Sequence, residues 1–77
     1  MTTNQEILAR REQKALIAAI KEEISLLAEK TGTTFTQTRL GVQEEWADIG
    51  YPTDTEKMSL FQLRMAFTKL QEERLEA

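Results

Sequence analysis

From Asn4 to Lys30 the chain contains no glycine or proline, and Ala, Leu, Glu, Lys, Gln and Arg dominate the run. Nothing in it interrupts an α-helical hydrogen-bond ladder, so it specifies one long helix. Thr3-Asn4-Gln5-Glu6 has the pattern of a capping box, with Thr3 accepting from the backbone of Glu6 and Glu6 reaching back to Thr3. Lys30-Thr31-Gly32 supplies a basic last turn followed by glycine, the usual stop. Along this helix Ala9, Gln13, Leu16, Ile17, Ile20, Ile24, Leu27 and Ala28 fall on one face and predict the core stripe. At ~1.5 Å per residue the helix is a rod of roughly 40 Å. A compact sphere of this chain length spans only ~30 Å, so the rod must overhang, bend or lie against a second chain.

The remainder predicts two shorter helices. Residues 31–36 form a threonine-rich loop leading to a helix over about 37–49, capped by Thr34 with Gln37 or by Thr36 alone, and ended by Gly50. Phe35, Val42, Trp46 and Ile49 share one face of it, and Gly41 lies inside it. Gly50-Tyr51-Pro52-Thr53 is the turn, and Thr53-Asp54-Thr55-Glu56 is a second capping-box pattern, opening a third helix over about 54–75. Met58, Leu60, Phe61, Leu63, Met65, Phe67 and Leu70 cover most of that helix's circumference, which implies burial on nearly all sides. The C-terminal stretch 71–77 reads as a fraying, solvated helix end.

What the chain lacks narrows its chemistry. It has 77 residues, no cysteine and no histidine. Disulfides are excluded, structural zinc and nucleophile–histidine catalysis lose their residues, and one domain spans 1–77. With 40% hydrophobic and 30% charged residues the composition is that of a folded, soluble chain. No apolar stretch approaches a bilayer span, and the N-terminus lacks a signal-peptide pattern, so the expected location is cytoplasmic. No cofactor is expected. The net charge of −3 sits in residues 31–57, where Arg39 and Lys57 face Glu44, Glu45, Asp48, Asp54 and Glu56.

These features nominate surfaces rather than an active site. Glu44, Glu45 and Asp48, with Tyr51 on the turn, are the expected partner-binding residues; as a metal site the three carboxylates lack further ligands. Arg10, Lys14 and Lys21 form a basic stripe beside the core face of the first helix. Nucleic-acid phosphates are one reading of it, and pairing with the acidic cluster is the favoured one. A helix-turn-helix built from the second and third helices would place the carboxylates of Asp54 and Glu56 at the reading end, which disfavours nucleic acid. The threonines around Gly32 offer an anion cradle without the glycine spacing or lysine of a P-loop.

The expectation is therefore an all-α protein in which a long N-terminal helix carries a C-terminal helical pair. A chain this short gains only about 3–5 kcal/mol from its own core, so self-association is expected, through Leu16, Ile20, Ile24, Phe61 and Met65. Its expected role is a non-catalytic module that binds a protein partner, basic or nucleic-acid-handling, as regulator, inhibitor or adaptor. Small acidic helical proteins of this kind are common on phages and mobile elements, an association that no residue here carries. The alternatives are a helix-turn-helix-like DNA-binding regulator and a small-ligand-sequestering or structural oligomer, the ligand lying near Thr31–Thr38 at a subunit boundary.

Overall fold

Both ends of the long helix form where the local chemistry puts them. In the computed structural model, which describes residues 3–77, α1 spans Asn4–Thr31. The Thr3 hydroxyl accepts from the Glu6 N–H at 3.1 Å, and the Glu6 carboxylate accepts from the Thr3 N–H at 3.3 Å. At the other end Gly32 takes the left-handed conformation with φ 70°. The Gly32 N–H then reaches the Glu29 carbonyl and the Thr33 N–H the Ala28 carbonyl, so two of the last turn's carbonyls are satisfied.

Three helices result: α1, α2 (Phe35–Asp48) and α3 (Leu60–Glu76), with a single 3-10 turn at Thr55–Lys57 and no strand among the described residues. The protein is all-α with three helices, and α2 and α3 pack on α1. Arg64 binds Glu12 and Arg74 binds Glu23, so residue numbers rise together along both helices and α1 and α3 run parallel. The short link after α1 sends α2 back antiparallel, and residues 49–59 return the chain for α3. Ile20 and Leu63, each 0% exposed, mark the centre of the core. Around them lie Ile17, Ile24, Leu27, Val42, Trp46, Met58, Ala66 and Leu70. The predicted stripe on α1 is buried from Ile17 onward, and Ala9, Gln13 and Leu16 are only half-covered.

Two boundaries differ from the sequence expectation. The second helix starts at Phe35 rather than about 37, because Thr34 and Gln37 form their capping box in both directions, and the loop shrinks to 32–34. The third helix starts at Leu60 rather than Asp54. Thr53 and Glu56 do not form a box; Asp54 instead accepts from the Glu56 N–H at 3.0 Å and caps only the 3-10 turn. Ser59 with Gln62 supplies the capping box that opens α3. The reason is register. In one continuous helix Met58 would share a face with Phe61 and Met65, opposite Leu63, Ala66 and Leu70. An extended Met58, with ψ 146°, turns its side chain into the core, where it is buried.

That break also alters the expected burial of α3. Leu63, Ala66 and Leu70 face inward, and Phe61 stands 66% exposed and Met65 48%. The C-terminal turn is held rather than frayed. The Arg74 guanidinium donates through Nε and Nη2 to the two oxygens of the buried Glu23, and the Lys30 ammonium donates to the Arg74 carbonyl at 2.7 Å. The molecule measures 47 × 22 × 19 Å. The rod of α1, 28 residues at ~1.5 Å each, accounts for nearly all of the long dimension. Among the described residues no helix is long and apolar enough to cross a membrane.

Candidate functional site

Where α2 ends, the backbone folds Tyr51 back over Trp46. Gly50, at φ 80°, turns left-handed; its N–H donates to the Ala47 carbonyl at 3.1 Å, and the Tyr51 N–H donates to the Trp46 carbonyl at 2.8 Å. Pro52 follows and cannot continue a helix. Between this corner and the middle of α3 lies a hollow of about 100 Å³ lined by Trp46, Ile49, Tyr51, Met65, Ala66 and Lys69. Trp46 and Ala66 are buried and form its floor. Ile49, 53% exposed, and Met65 stand on its rim, with Phe61 one turn from Met65 along α3.

Carboxylates edge this hollow. Glu45 reaches the Lys69 ammonium, which lines the hollow, at 3.8 Å across the α2–α3 seam. Glu73 lies one turn beyond Lys69. Partial burial pushes its carboxyl above the usual glutamate range, and the neighbouring charge of Glu45 pushes it further. A hydrogen bond to Glu45, which only the protonated form can donate, acts in the same direction; Lys69 opposes, and Glu76 adds a small repulsion. The seam therefore holds more negative charge than Lys69 offsets.

Of the residues singled out from sequence, Tyr51 lines this hollow and Glu45 reaches its Lys69, while Glu44 and Asp48 are exposed on α2 and do not line it. Among the described residues no group of three acidic side chains is placed to hold a metal ion. The pairing of Arg10, Lys14 and Lys21 with the acidic cluster, expected within the chain or across a dimer, does not form within the chain; the ion pairs among the described residues are Arg64–Glu12, Lys69–Glu45 and Arg74–Glu23. Of the expected interface residues, Ile20 and Ile24 are buried in the chain's own core and Leu16 packs against it, so a second chain has access to Phe61 and Met65 but not to the two isoleucines. The helix-turn-helix reading loses its short turn, since 49–59 separates the two helices and Asp54 and Glu56 lie outside α3. The threonine hydroxyls serve one another: Thr31 bonds the Leu27 carbonyl at 2.8 Å and Thr33 at 3.1 Å, and Thr33 bonds Thr38 at 2.8 Å.

A larger hollow, about 530 Å³, opens between α1 and α2. Ile20, Ile24, Phe35 and Trp46 give it apolar walls, and Lys21 and Arg39 line it from opposite helices. The 53–56 segment closes one end, tied to α2 by the Gln43 amide on the Thr53 carbonyl at 3.2 Å and to α1 by the Gln13 amide on the Glu56 carbonyl at 3.4 Å. Sequence periodicity did not nominate Arg39, because its neighbour Lys21 lies on another helix. The spacing of Phe35, Arg39 and Gln43, one turn apart each, was the available signal. No family model matches the chain, and no curated protein or solved structure matches it either.

Proposed function

We propose that the protein is a non-catalytic interaction module whose α2–α3 face receives a basic amphipathic helix of a protein partner and thereby modulates it. The observation that carries the reading is the pairing of apolar rim and acidic edge around one hollow. Ile49, Met65 and Phe61 expose apolar surface beside the aromatic floor of Trp46, and Glu45 and Glu73 stand beside Lys69 on its wall. Helix-in-groove recognition uses such a surface, with apolar anchors giving affinity and flanking charge giving orientation and encounter rate. Exposed methionine adapts to the shape of its partner. A basic helix would also relieve the crowding of Glu45 and Glu73. Nucleic-acid-handling proteins, which carry such basic helices, fit the partner's chemistry; direct binding of nucleic acid does not fit an acidic face.

The test is titration with an amphipathic Leu/Lys helical peptide and a Leu/Glu counterpart, read from Trp46 fluorescence. The Leu/Lys peptide is expected to bind and the Leu/Glu peptide not. Met65→Ser and the reversal of Glu44, Glu45 and Asp48 to Lys should each weaken binding tenfold or more. Unchanged binding after the charge reversal would overturn the proposal. A second copy of this chain is the competing occupant, since Phe61 and Met65 are the expected interface residues left exposed; sizing by light scattering separates the two.

A further inference from the structure

Helix α3 carries a second apolar stripe that its own core leaves uncovered. Phe61, Met65, Thr68, Glu72 and Leu75 follow one another at alternating steps of four and three residues, so they share the face opposite Leu63, Ala66 and Leu70. Phe61, Met65 and Leu75 are the exposed large apolar side chains of this helix, Leu75 at 70%. That alternation is the spacing at which a second helix lying alongside stays in contact. From Phe61 to Leu75 the stripe is roughly 21 Å long, at ~1.5 Å per residue. Met65 belongs also to the rim of the α2–α3 hollow, and the stripe runs past it to the last turn of α3.

Unpaired charge is sorted along this stripe. The basic residues of α3 are Arg64, Lys69 and Arg74, and each is held by a carboxylate of another helix: Glu12, Glu45 and Glu23. Glu72, Glu73 and Glu76 form no ion pair among the described residues, and all three lie at the C-terminal end of α3. That is the negative end of the helix dipole, where carboxylates are least favoured. A second copy of this chain would bring the same three carboxylates and no free cation on its α3. A basic helix brings the charge that this end lacks. Resting on the reading of the α2–α3 face as a helix acceptor, we infer that the partner's helix lies lengthwise along α3, with its apolar residues on Phe61, Met65 and Leu75 and its cations gathered at the end that covers Glu72 and Glu76. The partner class thereby narrows to helices whose lysines and arginines cluster at one end of an apolar stripe. Charge, rather than backbone direction, sets which way the helix lies.

The probes are two Leu/Gln helical peptides with lysines confined to one terminus, the N-terminus in one and the C-terminus in the other. Each carries a nitroxide at its lysine end, and broadening of the protein's amide resonances reads where that end sits. In both cases residues 72–77 are expected to broaden and Phe61 and Gln62 not. Affinities are read from Trp46 emission. Leu75→Ser should weaken both peptides about tenfold, through the loss of one buried leucine contact. Leu75 is outside the core, so circular dichroism should show the helix content kept. Glu72→Gln with Glu76→Gln should weaken both peptides about fivefold and flatten the salt dependence. Glu22→Gln with Glu29→Gln removes as much charge from the exposed face of α1 and should leave both affinities unchanged. The inference is overturned if the nitroxide broadens Phe61 and Gln62 instead, if its place follows the peptide's chain direction, or if Leu75→Ser binds as the unaltered chain does. Each of those outcomes leaves the helix-accepting reading standing, whereas failure of both peptides to bind overturns the two together. Resonances along the stripe that shift with protein concentration, without peptide, would seat a second copy there and overturn it as well.

Discussion

Glu73 and Gly41 show how single residues here work against the fold's stability. The folded chain binds the Glu73 proton more tightly than the unfolded chain does, first through burial and then through Glu45. A raised carboxylate pKa means that ionisation weakens the fold. The penalty is absent in acid, grows as pH rises through the ordinary value of 4.5, and is complete above the raised one. Glu73→Gln should therefore stabilise the protein near neutral pH, by about 0.5 kcal/mol or less at this partly exposed site. The gain should vanish well below pH 4.5, as urea midpoints of both proteins at the two pH values will show. Gly41 sits in mid-helix with nothing within 4 Å of where a Cβ would stand, and its φ is not positive. Gly41→Ala should stabilise by about 0.5–1 kcal/mol in the same assay. Glu23 marks the limit of reading residues one at a time. It lies at the edge of the α1 stripe and looks like any solvated glutamate until Arg74, fifty-one positions away, covers it.

At the scale of elements, helix ends were legible wherever one signal stood alone. The box at Thr3 and the glycine at 32 act locally and need no tertiary partner, whereas the start of α2 had two candidate caps, Thr34 with Gln37 and Thr36 alone, of which the first forms. The start of α3 was not legible because two boxes compete, Thr53–Glu56 and Ser59–Gln62, and local chemistry does not rank them. The core ranks them, through the burial of Met58 that only the later start permits. Ser59→Ala should accordingly cost about 1 kcal/mol, the ordinary value of a lost N-cap. Thr53→Ala should cost no more than a few tenths, since its hydroxyl caps no helix and its carbonyl remains for Gln43. Equal losses for the two would mean that the helix begins at the earlier box. The candidate site was legible in the same partial way. Glu45 and Tyr51 lie on one stretch of sequence, whereas Glu73 comes from the other helix and the apolar rim joins Ile49 to Met65 across the seam between the two.

At the scale of the whole molecule, the case for a second chain rested on an overlong first helix and an over-apolar third one. The elongated shape answers the first, because α1 forms the long axis of the molecule instead of projecting from a sphere. The radius of gyration, 13.3 Å, exceeds the roughly 12 Å of a compact chain of this length, as a rod requires. The second is narrowed to Phe61 and Met65, which the core does not need. Ile20 and Leu63 are enclosed within one chain, and a truncation such as Leu63→Ala should cost about 3 kcal/mol. That is a large share of the ~4–12 kcal/mol available to a domain of this size. A chain stabilised by its own core unfolds at a midpoint set by that core alone. A chain stabilised by a copy of itself unfolds at a midpoint that climbs with concentration, because mass action favours the assembled state. If the face around Met65 serves a foreign helix, the thermal midpoint of the isolated protein should be the same at concentrations tenfold apart, and should rise when the Leu/Lys peptide is added. Replacing Phe61 and Met65 by Ser should then remove the peptide's effect and leave the isolated midpoint nearly unchanged, because both side chains are largely in solvent. A midpoint that climbs with protein concentration, and ceases to climb in the double variant, would instead seat a second copy on that face.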